Sequence, residues 1–437
     1  MVCYGPLRTR ASCATVYDMT LEGNIFRSDN KFHKGRVSFE NGIISDLTDG
    51  PVKSTDLIIP GLIDIHCHGN SGFDFTESFV VNSREDTGTD FREIESPPFP
   101  EAASLDSAAN SARPFPEAAG IAEYALAGLK RMAEYQSKNG VTAFAAASVT
   151  APYEMLKRSY DNALHFKKIQ ELPGHSFNEA RLVGINMEGP FLSYGKRGAQ
   201  DSDYLKSPDL CEFMKLYDSC EGLIKIVDIA PELDGAVEFI KEACRLCTVS
   251  LAHSECSYEN AAHAFASGAS QVTHIFNGMN GIHHRSPGII PAAAERENIY
   301  AEIICDGIHV HPSVVRAAFK LFPGRIILIS DSLSCTGLAD GSYHLGSQDI
   351  ILKDHRAVLK NGTLAGSAAD LFTMLKNAVA FHIPIEDAIA AATANPARQL
   401  GLQGKIGSIS PGLCADLLVL DQNLNLKNVY INGMLQQ

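Results

Sequence analysis

Apolar residues along this chain gather into eight short runs, and five of the eight stop at a residue able to hold a metal ion or carry a proton. The first, 57–65, stops at His66-Cys67-His68. The run 182–187 stops at Glu188, 248–252 at His253, 271–273 at His274 and 325–330 at Asp331. The other three cover 142–149, 224–230 and 300–305. Runs this short and unbroken read as strands buried on both faces. Between them lie stretches with helical spacing, at 118–138, 154–170, 235–247, 258–267 and 312–321. Strand–helix alternation predicts a parallel sheet with covering helices, and eight strands favour closure into a (β/α)8 TIM barrel. Such a barrel collects its catalytic groups at the C-terminal ends of its strands, which is where the five polar stops fall.

The two ends of the chain are patterned differently. Residues 37–44 read as a hairpin around Asn41-Gly42. Residues 411–420 read as a turn and a strand, and 428–434 add another strand with a second turn at Asn432-Gly433. These segments predict a small β-sandwich domain assembled from 1–58 and 405–437, around a barrel over 59–404. One stretch fits neither part. Residues 77–119 are polar and rich in Ser, Pro, Glu and Ala, and they repeat Pro-Phe-Pro-Glu-Ala-Ala at 98–103 and 114–119. They predict a flexible insertion, of the kind that serves as a lid, an interaction element or a disordered loop.

Composition narrows the class. With 437 residues the chain exceeds the about 250 that a TIM barrel uses, which leaves room for the terminal β domain. The net charge of −14 and the lack of a Lys/Arg-rich run argue against a nucleic-acid partner. No apolar stretch approaches the roughly 20 residues of a membrane helix, and no apolar leader opens the chain. A cytoplasmic enzyme with no membrane partner is expected. The 11 cysteines then read as reduced thiols, and Cys244-x-x-Cys247, lacking a second pair, as helix packing.

Residues two apart on a strand share a face, so His66 and His68 can turn both rings to one ion while Cys67 points away. A lone pair of this kind can be two buried structural histidines. With Glu188, His253 and His274 it becomes a set of four imidazoles and a carboxylate, and that set predicts a metal centre. Glu188 is placed to bridge two divalent ions or to hold one; two per chain are expected, with Zn the first expectation and Fe or Mn the alternatives. Asp331 is the expected proton carrier, taking a proton from an activated water and passing it to a leaving amine. The segment 277–288 holds Asn277, Gly278 and Arg285, and its amides and guanidinium suit an anionic group such as phosphate. Lys225 lies inside its run rather than at the end, so it is not read as a ligand.

Together these residues resemble the amidohydrolase superfamily and, within it, the N-acetylglucosamine-6-phosphate deacetylase family. The likeness runs through 59–69, 187–191, 196–199, 230–232, 252–254, 273–279, 306–310, 330–331 and 361–367. It implies that Glu188, His253 and His274 hold the ion common to active members, and that His66 and His68 match members with a second ion. It implies Asp331 as catalytic acid and base. It implies substrate contacts at Ala199, Asn277, Gly278, Arg285, His309, Leu364, Ala365 and Gly366, with Arg285 reaching the site of a neighbouring subunit in a homodimer. The implied reaction is hydrolysis of the N-acetyl group of N-acetyl-D-glucosamine 6-phosphate in amino-sugar breakdown. The alternatives are a galacto-configured substrate, an aminoacylase or cyclic amidase, and an inactive scaffold. Three departures stand out: Gln200 occupies a place where some relatives carry His, Gly278 one where Ala is common, which reads as a small change, and the 77–119 segment is longer than the family usually needs between its first strand and first helix.

Overall fold

The structure, a computed structural model, describes residues 18–76, 118–175 and 177–436. Eight strands form one all-parallel sheet: β1 (Leu62–Cys67), β2 (Val141–Ser148), β3 (Arg181–Met187), β4 (Ile224–Ile229), β5 (Thr248–Leu251), β6 (Gln271–Val272), β7 (Tyr300–Ile304) and β8 (Ile326–Ile329). Each strand pairs with the next in chain order. The seam between β8 and β1 is closed just beyond the strands, by Asp331 N–H on the His66 carbonyl at 2.9 Å and by a bridge from Cys67 to Ser332. The strands are apolar because both their faces are covered; all eight residues of β2 are buried. The expected barrel is the one found.

A helix follows each strand: α1 (Ala118–Lys138), α2 (Tyr153–Gln170), α3 (Leu210–Ser219), α4 (Ala236–Ala243), α5 (Tyr258–Ala266), α6 (Ile289–Ala294), α7 (Pro312–Leu321) and α8 (Leu371–Ala380). Asp209, Ser257 and Asp370 cap three of them by accepting from the amide three residues on. Among the described residues no helix is long and apolar enough to cross a membrane, and every described cysteine is a free thiol. Cys244 and Cys247 lie just past the end of α4.

The apolar run at 57–65 is divided between two sheets. Leu57–Pro60 leaves the barrel and pairs with Asp18–Phe26 on one side and Leu417–Leu420 on the other. The resulting seven-stranded sheet takes strands from both ends of the chain and has its own core of Ile25, Val37, Phe39, Ile58 and Leu417. The Asn41-Gly42 hairpin is present, with φ of 52° and 80° as its tight turn requires. Arg181 at the start of β3 ties this sheet to the barrel through an ion pair with Asp416.

A three-stranded antiparallel sheet at Gly341–Leu345, Gln348–Lys353 and Arg356–Leu359 was not foreseen. It follows β8 and packs Leu345, Ile350, Leu352 and Ala357 against Val149, Leu333 and Ala365 at the mouth of the barrel. The expected insertion over 77–119 lies, up to residue 117, outside the described residues.

Candidate metal and active site

The five polar stops meet at the C-terminal end of the barrel. His66 Nε2 lies 3.3 Å from His68 Nε2 and 3.6 Å from Glu188 Oε1. His68 Nε2 lies 3.3 Å from Glu188 Oε2 and 3.1 Å from Asp331 Oδ1. His253 and His274 bring their Nε2 atoms to 3.1 and 3.0 Å from Glu188 Oε1. All six residues are buried. Two donors each about 2.0–2.1 Å from one tetrahedral ion sit about 3.4 Å apart, so these spacings fit shared cations. The donors divide into His66, His68 and Asp331 on one side and Glu188, His253 and His274 on the other, with Glu188 against both.

The rings are oriented for this role from behind. His68 Nδ1 lies 3.1 Å from the Ala147 carbonyl, and His253 Nδ1 2.7 Å from the Lys196 carbonyl. A carbonyl only accepts, so each Nδ1 carries the hydrogen and each neutral ring turns a bare Nε2 to the centre. His66 Nδ1 makes the same contact to Glu302 Oε2 at 3.1 Å. His274 Nδ1 has no hydrogen-bond partner among the described residues. Burial pushes Glu188 up, but the His66, His253 and His274 rings more than offset it and hold its carboxyl well below the usual range. Burial pushes His66 down, yet Glu188 and Glu302 raise it well above the ordinary imidazole value. A donor set with these demands calls for positive charge, and divalent cations fit it. Cys67 points away as expected, toward Ser332 Oγ at 3.1 Å and Gln136 Nε2 at 3.0 Å.

His253, His274 and Asp331 have φ of 44°, 25° and 48°, a region that costs side chains on the order of 1–3 kcal/mol. Hydrogen bonds hold them there. Asp331 N–H donates to the His66 carbonyl, and the Asp331 carbonyl accepts from Ser367 N at 2.7 Å. His274 N–H reaches Glu302 Oε2 at 3.3 Å. Burial pushes the Asp331 carboxyl up, but His68, His66 and His274 outweigh it and keep it lowered, so it is ionised and able to accept a proton.

Around this cluster the other expected residues are placed unevenly. His309 is held by Asp306, whose Oδ2 lies 2.6 Å from its Nδ1. Burial pushes His309 down, and Asp306 more than reverses this, raising it. Leu364, Ala365 and Gly366 form the loop stitched to Asp331, and a Cβ on Gly366 would come within 2.5 Å of the Asp331 carbonyl oxygen. Ala199 packs against the core of the three-stranded sheet. Asn277 is half-buried and bonds the His274 carbonyl. Arg285 is not brought to the cluster; it is exposed, 2.7 Å from His284 Nε2.

Gly278 corrects an expectation. Glycine for alanine is no small change here: φ is +59°, and a Cβ would lie 2.8 Å from His253 Nδ1. The left-handed backbone alone costs alanine roughly 1–2 kcal/mol. Gly278→Ala is therefore expected to displace the His253 ring and weaken the retention of metal during dialysis. Metal content equal to wild type after the same dialysis would show that the ring has room to move.

Two residues of the site escaped the sequence reading, Glu302 and Asp228, and a third, Gln200, was read only as a departure from relatives that carry His. Gln200 spends its amide on Glu188 Oε2 at 2.5 Å and on Thr150 N–H at 2.6 Å, so it positions Glu188 and is not free to polarise a carbonyl. Glu302 on β7 receives Gln271 Nε2 at 2.7 Å and faces His66. Asp228 on β4 is fully buried in the barrel interior. The signal for the last two was a carboxylate inside an apolar run. Lys225, on the same strand as Asp228, bonds the Gly222 carbonyl and takes no part.

Comparison with known proteins agrees with this geometry. A model of the amidohydrolase family matches residues 57–435. An N-acetylglucosamine-6-phosphate deacetylase from Bacillus subtilis is 31% identical over 371 residues, 84% of this chain and 81% of that protein. An N-acetylgalactosamine-6-phosphate deacetylase from Escherichia coli O157:H7 is 26% identical over 409 residues, 92% of this chain and 94% of that protein. The structure of a mutant N-acetyl-D-glucosamine-6-phosphate deacetylase from Mycobacterium smegmatis, in complex with N-acetyl-D-glucosamine-6-phosphate, superposes with a TM-score of 0.78 at 26% identity, covering 96% of this chain and 99% of that one.

Proposed function

Because this chain belongs to the amidohydrolase family, we infer that it hydrolyses the N-acetyl group of N-acetyl-D-glucosamine 6-phosphate, releasing acetate and D-glucosamine 6-phosphate. The observation that carries the reading is the complete donor cluster at the barrel mouth, in a chain similar over most of its length to relatives of that activity. An inactive scaffold would have no use for six converging buried ligands.

His66, His68 and Asp331 would hold one divalent ion and His253 and His274 the other, with Glu188 between them. Bound there, such ions polarise the acetyl carbonyl and acidify the attacking water. Asp331 takes the proton from that water and delivers it to the amine nitrogen as the C–N bond breaks. His309, its Nδ1 held by Asp306, offers Nε2–H to the carbonyl oxygen as negative charge develops there. Gln200 and Thr150 keep Glu188 from turning away. Zinc suits the imidazole-rich side of the cluster.

Arg285 supplies the phosphate contact. Its exposure on its own chain supports a role across a homodimer interface, reaching the neighbouring subunit's substrate. A galacto-configured substrate is the second reading, favoured by the Escherichia coli relative. Acetate release from gluco and galacto N-acetyl sugars, each with and without the 6-phosphate, tests all of this. The phosphorylated gluco sugar is expected to be turned over best; an unphosphorylated sugar turned over best would overturn the reading. A charge-assisted Arg–phosphate pair contributes about 1.5–3 kcal/mol. Arg285→Ala is therefore expected to lower kcat/KM on the phosphorylated sugar by roughly 10–100-fold and leave the unphosphorylated sugar unchanged. Equal losses on both would make Arg285 a loop-holding residue.

A further inference from the structure

Among the described residues, Asp228 is a carboxylate of the barrel interior whose bonding is half complete. It projects inward from β4, fully buried, with one oxygen accepting from Thr273 Oγ1 at 2.8 Å. Its other oxygen has no hydrogen-bond partner among the described residues. Glu302, the neighbouring interior carboxylate, is different. It is bonded by Gln271, His66 and the His274 amide, and its work is to orient rings. A buried carboxylate oxygen without a partner is costly unless something cationic faces it. What faces Asp228 is the ligand cluster: an oxygen of Asp228, a ring nitrogen of His66 and an oxygen of Glu188 all lie within 4.8 Å of one another.

We propose that Asp228 is a further metal ligand, completing from the barrel floor the coordination of the ion held by His66, His68 and Asp331. The proposal rests on the metal-site reading above. It makes the two ion positions unequal. The one at His253 and His274 is nitrogen-rich. The one at His66 gains a third carboxylate beside Glu188 and Asp331, a set that favours a harder ion with more than four ligands, such as Mn(II). Asp228 reaches this position because β4 alternates its faces: Lys225 faces out to the Gly222 carbonyl, and Asp228, three residues on, faces in.

The test is metal binding, read apart from catalysis. Wild-type, Asp228→Asn and Asp228→Thr chains are stripped with a chelator and reloaded with Mn(II), Zn(II) or Co(II). Elemental analysis gives ions per chain, calorimetry gives the affinities, the visible spectrum of the Co(II) form reports coordination, and thermal melts are run with and without metal. Wild type is expected to take two ions. Both variants are expected to keep the first and bind the second at least about 10-fold more weakly, with Mn(II) losing most and the Co(II) spectrum altered. Both variants are expected to gain less thermal stability from added metal than wild type does. Two ions held with unchanged affinity and spectrum in both variants would overturn the assignment alone. Wild type that took up no second ion would take down the two-ion reading with it.

Discussion

Asp331→Asn is expected to lower kcat by roughly 10²–10⁴-fold, the range by which a positioned acid–base group accelerates proton transfer. The loss reaches the upper end of that range if one group serves both proton steps. Asparagine keeps the shape and an oxygen near His68 but cannot accept a proton. With metal added in excess, to offset the carboxylate ligand lost beside His66 and His68, KM should therefore stay near wild type while turnover falls. The Asp331 carboxylate is aimed by contacts that asparagine keeps: its own amide on the His66 carbonyl, and its carbonyl under Ser367 N–H. The measurements are steady-state kinetics on the phosphorylated sugar and elemental analysis of the same preparation. Near-native kcat with metal retained would remove Asp331 from proton transfer.

Glu188→Gln is expected to be as damaging through a different route. Among the described residues, Glu188 is the one in contact distance of all four histidines of the cluster, at 3.0 to 3.6 Å. Glutamine keeps the volume and removes the negative charge on which both proposed ion positions depend. Metal assistance is worth several kcal/mol, so its loss corresponds to a drop of about 10³-fold or more in kcat/KM. Elemental analysis should find less than one ion per chain, and excess metal should restore activity poorly. A variant that kept two ions and full activity would mean that the two ion positions do not share Glu188.

The pattern of the chain carried much of this. Eight apolar runs separated by helical spacing are enough for a barrel, because a strand covered on both faces has no polar positions to alternate. The stops of five runs were enough to place the cluster of buried donors, because side chains at strand ends reach the barrel mouth whichever strand bears them. The Asn41-Gly42 hairpin was equally legible, since that turn needs φ > 0 at both central residues and few dipeptides accept it.

What the pattern could not carry depends on distances across the fold. The run at 57–65 looks like one strand and serves two sheets, because the partners at 18–26 and 417–420 that capture its first half are remote in sequence. Gly278 reads as exchangeable until its backbone is seen turned against the His253 ring. Gln200 reads as a lost histidine until its amide is found on Glu188. Asp228 and Glu302 read as interruptions in apolar strands; only closure of the barrel brings one against Thr273 and the other against His66, from strands far apart in the chain. By itself the sequence determined the eight barrel strands, five of the helices between them, and which residues stand at the strand ends. The tertiary structure alone decided which buried polar groups meet, because a buried polar group is fixed by the partner that satisfies it, and that partner comes from elsewhere in the chain.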